Sequence, residues 1–281
     1  MSTCIFSVDV EDYFQVEAFS GVVDRAEWSN YASRVEDNTR RILDLLEQHE
    51  VHATFFILGW VADRYPGLAR EIVARGHEPA CHSFWHRLIY KLTPDEFRAD
   101  TLQAKTAIEQ ATGMEVMGYR APSYSVTKQS LWAHDILAEL GFTYDSSVFP
   151  IRHDIYGIPD APRTPYEVST PSGSITEWPI TTFRAGGAHN WPVGGGGYLR
   201  IMPFWYTSMG VQRALGENIP AIIYTHPWEI DPEQPRIQAG LKSRLRHYTH
   251  LDTTYNKLDR LLALQPFTSF RDHALQTTLK T

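Results

Sequence analysis

A chain of 281 residues with 43% hydrophobic content can bury one sizeable core, and no charge block or low-complexity run points to extended disorder. Its net charge of −7, without a basic stripe interleaved with aromatics, argues against nucleic acid and better suits a neutral or cationic partner. No run approaches the ~18 apolar residues of a membrane span, and "MSTCIFSVDVEDYF" lacks the basic and apolar regions of a leader. Cys4 and Cys81 lie in apolar, strand-like runs without CxxC spacing, as expected of reduced thiols in a cytoplasmic protein. Nothing in the sequence opposes a homo-oligomer.

"CIFSVDV" reads as a buried strand. The following segment opens with Ser33 and Glu36 at capping-box spacing and carries Val35, Ile42, Leu43, Leu45 and Leu46 as an apolar side. "HATFFILGW" is a second strand, a helix runs from about Val61 to Arg75 and stops at Gly76, and "HEPACHS" is a third strand. Thr93, Pro94 and Glu96 supply an N-cap, a first-turn proline and a capping-box glutamate for a helix ending near Gly113. "MGYRAPSY" is strand and loop, Thr127 to Leu140 a helix, and "FTYDSSV" a strand.

From 151 to 203 the chain is rich in Pro and Gly and predicts long loops with one strand, "ITEWPITTF". Its "VGGGG" run fits no phosphate-binding fingerprint and reads as a flexible loop near a site. A helix near Pro203 to Leu215, the strand "AIIYTHPW" and one long amphipathic helix from about Leu241 to Leu264 follow. The β-α alternation predicts an α/β fold, a distorted or incomplete barrel of about seven parallel strands with an accessory C-terminal helix. The expected organisation is one domain over 1–230, holding the 151–203 insertion, with a helical extension over 231–281 packed on it.

In such sheets functional groups collect where strands end. Asp9, Glu11 and Asp12 stand at the end of the first strand, and His82 at the end of the third. His82 and His86, four apart in "HSFWH", face one way if the segment turns helical, and a first-strand carboxylate completes a His-His-carboxylate metal set with an open position. With twelve histidines in the chain, one such pair also arises by chance, and an acidic strand end also serves as a turn cap. Alternation along a strand puts Asp9 and Glu11 on one side. Asp12 qualifies instead if the chain turns after Val10, so both remain candidate ligands.

"SVDVEDY", "HSFWH", "YRAPSYS", "YDSSV" and "IIYTH", in this order, resemble the motifs of the polysaccharide deacetylases, carbohydrate esterase family 4 or NodB-homology domains, over about residues 4–230. The tail from "THPWEIDPEQPR" onward resembles the extension of deacetylases from exopolysaccharide and exosortase gene clusters. The resemblance implies Asp9 as general base, Arg120 as its partner and His226 as general acid. It also implies His82 and His86 as metal ligands, with Pro122, Asp145 and Ser146 along the substrate and acetyl groove. Tyr224 stands where the family usually carries Leu, and the first motif departs from the family's adjacent aspartates. A backbone N–H near Tyr124 is a candidate oxyanion donor, and Trp178, His189, Trp191, Tyr198 and Arg200 are candidates for a sugar-contacting wall or lid.

The implied activity is N-deacetylation of N-acetylhexosamine units in a polysaccharide or its precursor, with a divalent cofactor, Zn²⁺ first and Co²⁺, Ni²⁺ or Mn²⁺ as substitutes. Such an ion polarises an amide carbonyl and lowers the pKa of water from 15.7 to about 7. Two other readings stand beside it: a cyclic-amide hydrolase of the allantoinase type, and a non-catalytic carbohydrate-binding member of a synthesis complex. A two-carboxylate glycosidase leaves the paired histidines without a role.

Overall fold

The computed structural model describes residues 4–278. Strand β1 (Cys4–Val10) is followed by α1 (Val35–Gln48), β2 (Thr54–Ile57), α2 (Gly59–Arg64), α3 (Pro66–Ala74) and β3 (Glu78–Cys81). The alternation continues with α4 (Pro94–Thr112), β4 (Gly118–Tyr119), α5 (Ala133–Glu139) and β5 (Tyr144–Asp145). Two hairpins come next, β6 (Tyr166–Thr170) with β7 (Gly173–Glu177), and β8 (Thr182–Arg184) with β9 (Asn190–Pro192). Then follow α6 (Gly197–Ile201), α7 (Phe204–Gly216), β10 (Ala221–Thr225), α8 (Leu241–Tyr248), α9 (Leu251–Leu262), β11 (Phe267–Thr268) and α10 (Phe270–Thr278).

The main sheet runs β10-β1-β2-β3-β4-β5-β7-β6, with β11 beside β1. Every pair in it is parallel except β6–β7. Among the described residues no pairing joins β10 to β6, so this is an open, distorted barrel surrounded by helices, as the alternation predicts. β1 alternates strictly: Cys4, Phe6, Val8 and Val10 join the outer core under the helices, whereas Ile5 faces inward with Phe56, Ala80 and Ile222. Ser7 and Asp9 therefore point into the barrel as well. Phe270 of α10 packs on Phe56 and Tyr144 in this inner cluster.

Several boundaries differ from the sequence reading for local reasons. The helix expected over 61–75 is two helices, because Pro66 has no N–H to continue the first. The long C-terminal helix is also two, parted where His250 takes φ +57°. The Thr93–Glu96 capping box forms as predicted and fixes the start of α4, a contribution of about 1 kcal/mol. The insertion over 151–203 holds four short strands rather than one. Its glycine run is not a free loop: Gly196 N–H donates to Tyr224 O, Tyr224 N–H donates to Gly194 O, and a Cβ on Gly195 would stand 2.0 Å from Tyr224 O. Glycine is needed there because backbone packs directly on backbone.

Beneath the sheet's rim, His134 of α5 inserts between Asp145 and Glu177, with Nε2 3.3 Å from a carboxylate oxygen of each. Burial opposes charge on His134, but hydrogen bonds and charge from both carboxylates outweigh it and raise the imidazole to about 10. Burial and the neighbouring Asp145 also push Glu177 upward. The native state thus binds more protons than the unfolded chain, so unfolding free energy declines as pH rises. The His134 contribution is complete below 6.5 and lost by about 10. Thermal melts should fall in Tm across that interval, and His134→Gln should flatten the slope; an unchanged slope refutes the assignment.

Candidate active site

The strand registers bring the site together. Val8 pairs with Thr225, Asp9 with Phe56, Ile57 with Cys81, Cys81 with Tyr119, and Tyr119 with Asp145. The next residue on each strand therefore reaches the same rim, which sets Asp9, His82, Arg120, Ser146 and His226 around one opening. A cavity of about 660 Å³ lies over it, with Asp9, Glu11, His82, His86 and His226 at its base.

Arg120 is fully buried. Its Nη1 donates to Asp9 Oδ1 and to Ser7 Oγ, both at 2.7 Å, its Nε to Ser146 O at 3.2 Å and its Nη2 to Ser146 Oγ at 3.1 Å. The guanidinium carbon lies 4.0 Å from the Phe56 ring centre. This arrangement holds Asp9 Oδ1 rigidly and leaves Oδ2 facing His226, whose Nε2 is 3.8 Å away.

Glu11, His82 and His86 place one ligand atom each within 4.8 Å of one another, all buried. The histidines meet through a turn rather than a helix: Ser83 and His86 adopt φ +64° and +50°, and the ring centroids lie 5.3 Å apart. Asp100 clamps that turn by accepting from the N–H groups of Phe84 and Trp85. His82 Nδ1 donates to Arg120 O at 2.8 Å, which leaves the Nε2 lone pair for the cluster. Burial drives His82 down to about 4, toward the neutral form that can ligate. Burial opposes ionisation of Glu11, but His86, His226 and His82 together hold it far below the usual carboxylate range.

His86 Nε2 approaches Glu11 Oε2 to 2.7 Å. Yet Glu11 Oε2 and His86 Nδ1 make no hydrogen bond. Orphaned polar atoms this deeply buried are costly, and one carboxylate with two imidazoles is a donor set suited to a divalent cation. The residues fit such an ion.

Asp12 is not part of this cluster. It turns outward and accepts from Ser33 Oγ, Arg34 N–H and Val35 N–H, so it caps α1 in place of the Ser33–Glu36 box expected from sequence. The sequence reading left Glu11 and Asp12 open, and the geometry places only Glu11 with the histidines. Glu11→Gln should sharply lower bound divalent metal by elemental analysis. Asp12→Asn should leave metal nearly intact and lower stability by about 1 kcal/mol, the worth of a lost cap; the reverse pattern refutes both roles.

Other expected groups separate. Tyr124 lines the cavity, and both it and Ser123 sit at positive φ, a conformation that ordinary residues keep only under surrounding constraint. Its own N–H donates to Ala121 O, so an oxyanion donor near Tyr124 would be another N–H of this turn. Pro122 is buried in the turn that aims Tyr124, outside the cavity lining. Ser146 acts through Arg120 rather than on a ligand. Asp145 is withdrawn into the His134 cluster, where it also accepts from Ser147 Oγ, so it does not line the cavity. Trp178 packs on Phe270 and His273 of α10, away from the site. Tyr198 lines the cavity wall, whereas His189 and Trp191 pack on each other and lie outside its lining.

The sequence reading gave Glu229 no role behind His226 and expected Arg200 in a sugar-contacting wall or lid, whereas Arg200 is buried against Glu229. Glu229 Oε2 lies 3.1 Å from His226 Nδ1 and accepts from the His226 N–H and Thr225 Oγ1. Its other oxygen accepts from the buried Arg200 Nε at 3.1 Å. Burial disfavours a charged His226, but Glu229, with Glu11 and Asp9, prevails and raises the imidazole to about 9. Trp228 donates from Nε1 to Glu11 Oε1 at 3.1 Å and stacks on His226. The signal was present in "HPWE": the histidine precedes a short 3₁₀ turn that opens at Pro227, and the glutamate three positions on forms a capping box with it.

Comparison with known proteins bears on the fold and on two segments of the chain. Residues 27–144 match the family model "Polysaccharide deacetylase", and residues 146–275 match "Domain of unknown function (DUF3473)". The chain is 32% identical over 122 residues to a peptidoglycan-N-acetylglucosamine deacetylase of Bacillus cereus, covering 41% of this chain and 43% of that protein. It is 35% identical over 100 residues to a chitooligosaccharide deacetylase of Bradyrhizobium sp., covering 36% and 43%. The chain thus spans under half the length of these curated relatives. Among solved structures, a Mycobacterium smegmatis protein assigned to the polysaccharide deacetylases superposes with a TM-score of 0.64 at 20% identity, over 99% of this chain and 91% of that one, which shows a common fold. Residues 27–144 of this chain are therefore similar to the polysaccharide deacetylase family, and residues 146–275 to DUF3473.

Proposed function

We propose that the protein is a metal-dependent hydrolase that removes N-acetyl groups from N-acetylhexosamine units of a polysaccharide or its precursor, in exopolysaccharide biosynthesis in the cytoplasm. The reading rests on one observation: the Asp9–Arg120 pair and the His226–Glu229 pair flank the Glu11–His82–His86 cluster at the base of one cavity. Glu11, His82 and His86 would hold the ion, with Zn²⁺ first among candidates for this donor set. Bound there, it supplies a Lewis acid and an acidified water.

The chain's own groups do the rest. Asp9 Oδ2 faces the cavity while Oδ1 is tied to Arg120, so this carboxylate is aimed to take a proton from an attacking water. His226 presents Nε2 on the same side, and its Nδ1 is held by Glu229, which fixes the ring to protonate a departing sugar amine. Trp228 and Tyr224 wall the base with aromatic surface that excludes bulk water and suits a sugar ring.

Acetate release from acetylated chitooligosaccharides, measured alongside elemental analysis, tests this. Activity should vanish with chelator and return with Zn²⁺. His82→Ala should lose both metal and turnover. Stoichiometric metal in that variant, or full activity in chelator, refutes the reading.

A further inference from the structure

Residues 234–251 carry four cations, Arg236, Lys242, Arg244 and Arg246, and no Asp or Glu, in a chain whose net charge is −7. Three of the four lie on α8, whose buried His247 stacks on Trp228 at 4.1 Å and so anchors the helix beside the site. Lys242 and Arg246 share one carboxylate, Asp154, at 3.1 and 3.4 Å, which leaves the helix in cationic excess. Both also line the cavity, so α8 forms one side of its mouth.

The outward stripe of α8 is apolar. Leu241 and Leu245, four apart, are 71% and 59% exposed, with Arg244 on one flank and Lys242 on the other. Ile201, also lining the cavity, is 43% exposed. Leucines on a helix's solvent side add nothing to folding, and a soluble polysaccharide would gain little from them. Leucines flanked by Lys and Arg on a helix that lies flat are the arrangement that settles into a headgroup layer.

We propose that α8 docks the cavity mouth on an anionic lipid bilayer, with Leu241 and Leu245 entering the headgroup boundary and the basic side chains pairing with lipid charge. The mouth would then open at the membrane surface, where a lipid-linked glycan stands. The docking itself does not depend on the hydrolytic reading, since binding needs no turnover.

Co-sedimentation of the full chain with phosphatidylcholine vesicles, with and without phosphatidylglycerol, is the test. The protein should sediment with the anionic vesicles only, and high salt should release it. Arg244→Gln should weaken binding about fivefold, the expected effect of one cation at such a surface. Leu241→Glu with Leu245→Glu should abolish it while thermal melts stay unchanged, and Leu245→Ser serves if the double variant fails to fold. Binding indifferent to lipid charge, or surviving the leucine substitutions, overturns the proposal. So does retention on an acidic polysaccharide with none on vesicles, or a leucine-dependent dimer in light scattering.

Discussion

Asp9→Asn should fold, keep its metal and lose acetate release by about a hundredfold to ten-thousandfold, the range for a positioned general base. Asn still offers an oxygen to Arg120 Nη1 at the position of Asp9 Oδ1, so the contacts to Ser7 and Ser146 survive. Asp9 is outside the Glu11–His82–His86 set, so metal content should not follow activity. Elemental analysis and turnover on one preparation separate the two. Normal turnover ends the base assignment, and loss of metal moves Asp9 into the ligand set.

The largest stability effect should come from Arg120→Met. Arg120 and Asp9 are paired at 2.7 Å with 0% and 2% of their side chains exposed. Removing the cation strands a buried carboxylate, which typically costs about 3–5 kcal/mol. Chemical denaturation should show a loss of that order. Asp9→Asn in the Arg120→Met background should restore part of it, because the stranded charge disappears. A loss under about 1 kcal/mol would mean that Asp9 finds water or another donor, and that the pair is not a rigid element of the site.

These predictions depend on groups with very different visibility in the sequence. His82, His86 and Asp9 were legible because they stand at or just past the ends of apolar strands, and parallel strands set their carboxyl ends on one rim; Arg120 was legible only through the likeness of "YRAPSYS" to a family motif. Asp145 was equally conspicuous in "YDSSV", but its carboxylate is claimed by His134 and Glu177, residues 11 and 32 positions away in the chain. Glu229 was quoted in the tail and given no role, since only folding shows that its second oxygen meets Arg200 from another helix.

By itself the sequence determined the β-α alternation, the parallel sheet, the α4 capping box and the shared rim of the motif residues, because periodicity, turn chemistry and strand order act locally. Tertiary structure alone decided between Glu11 and Asp12. One residue's shift past the strand end exchanges a side chain facing His86 for one capping α1. It also split the long tail helix and set the cationic, leucine-bearing α8 at the cavity mouth. A residue's partners from distant segments are set by how the layers pack, and no local pattern carries that information.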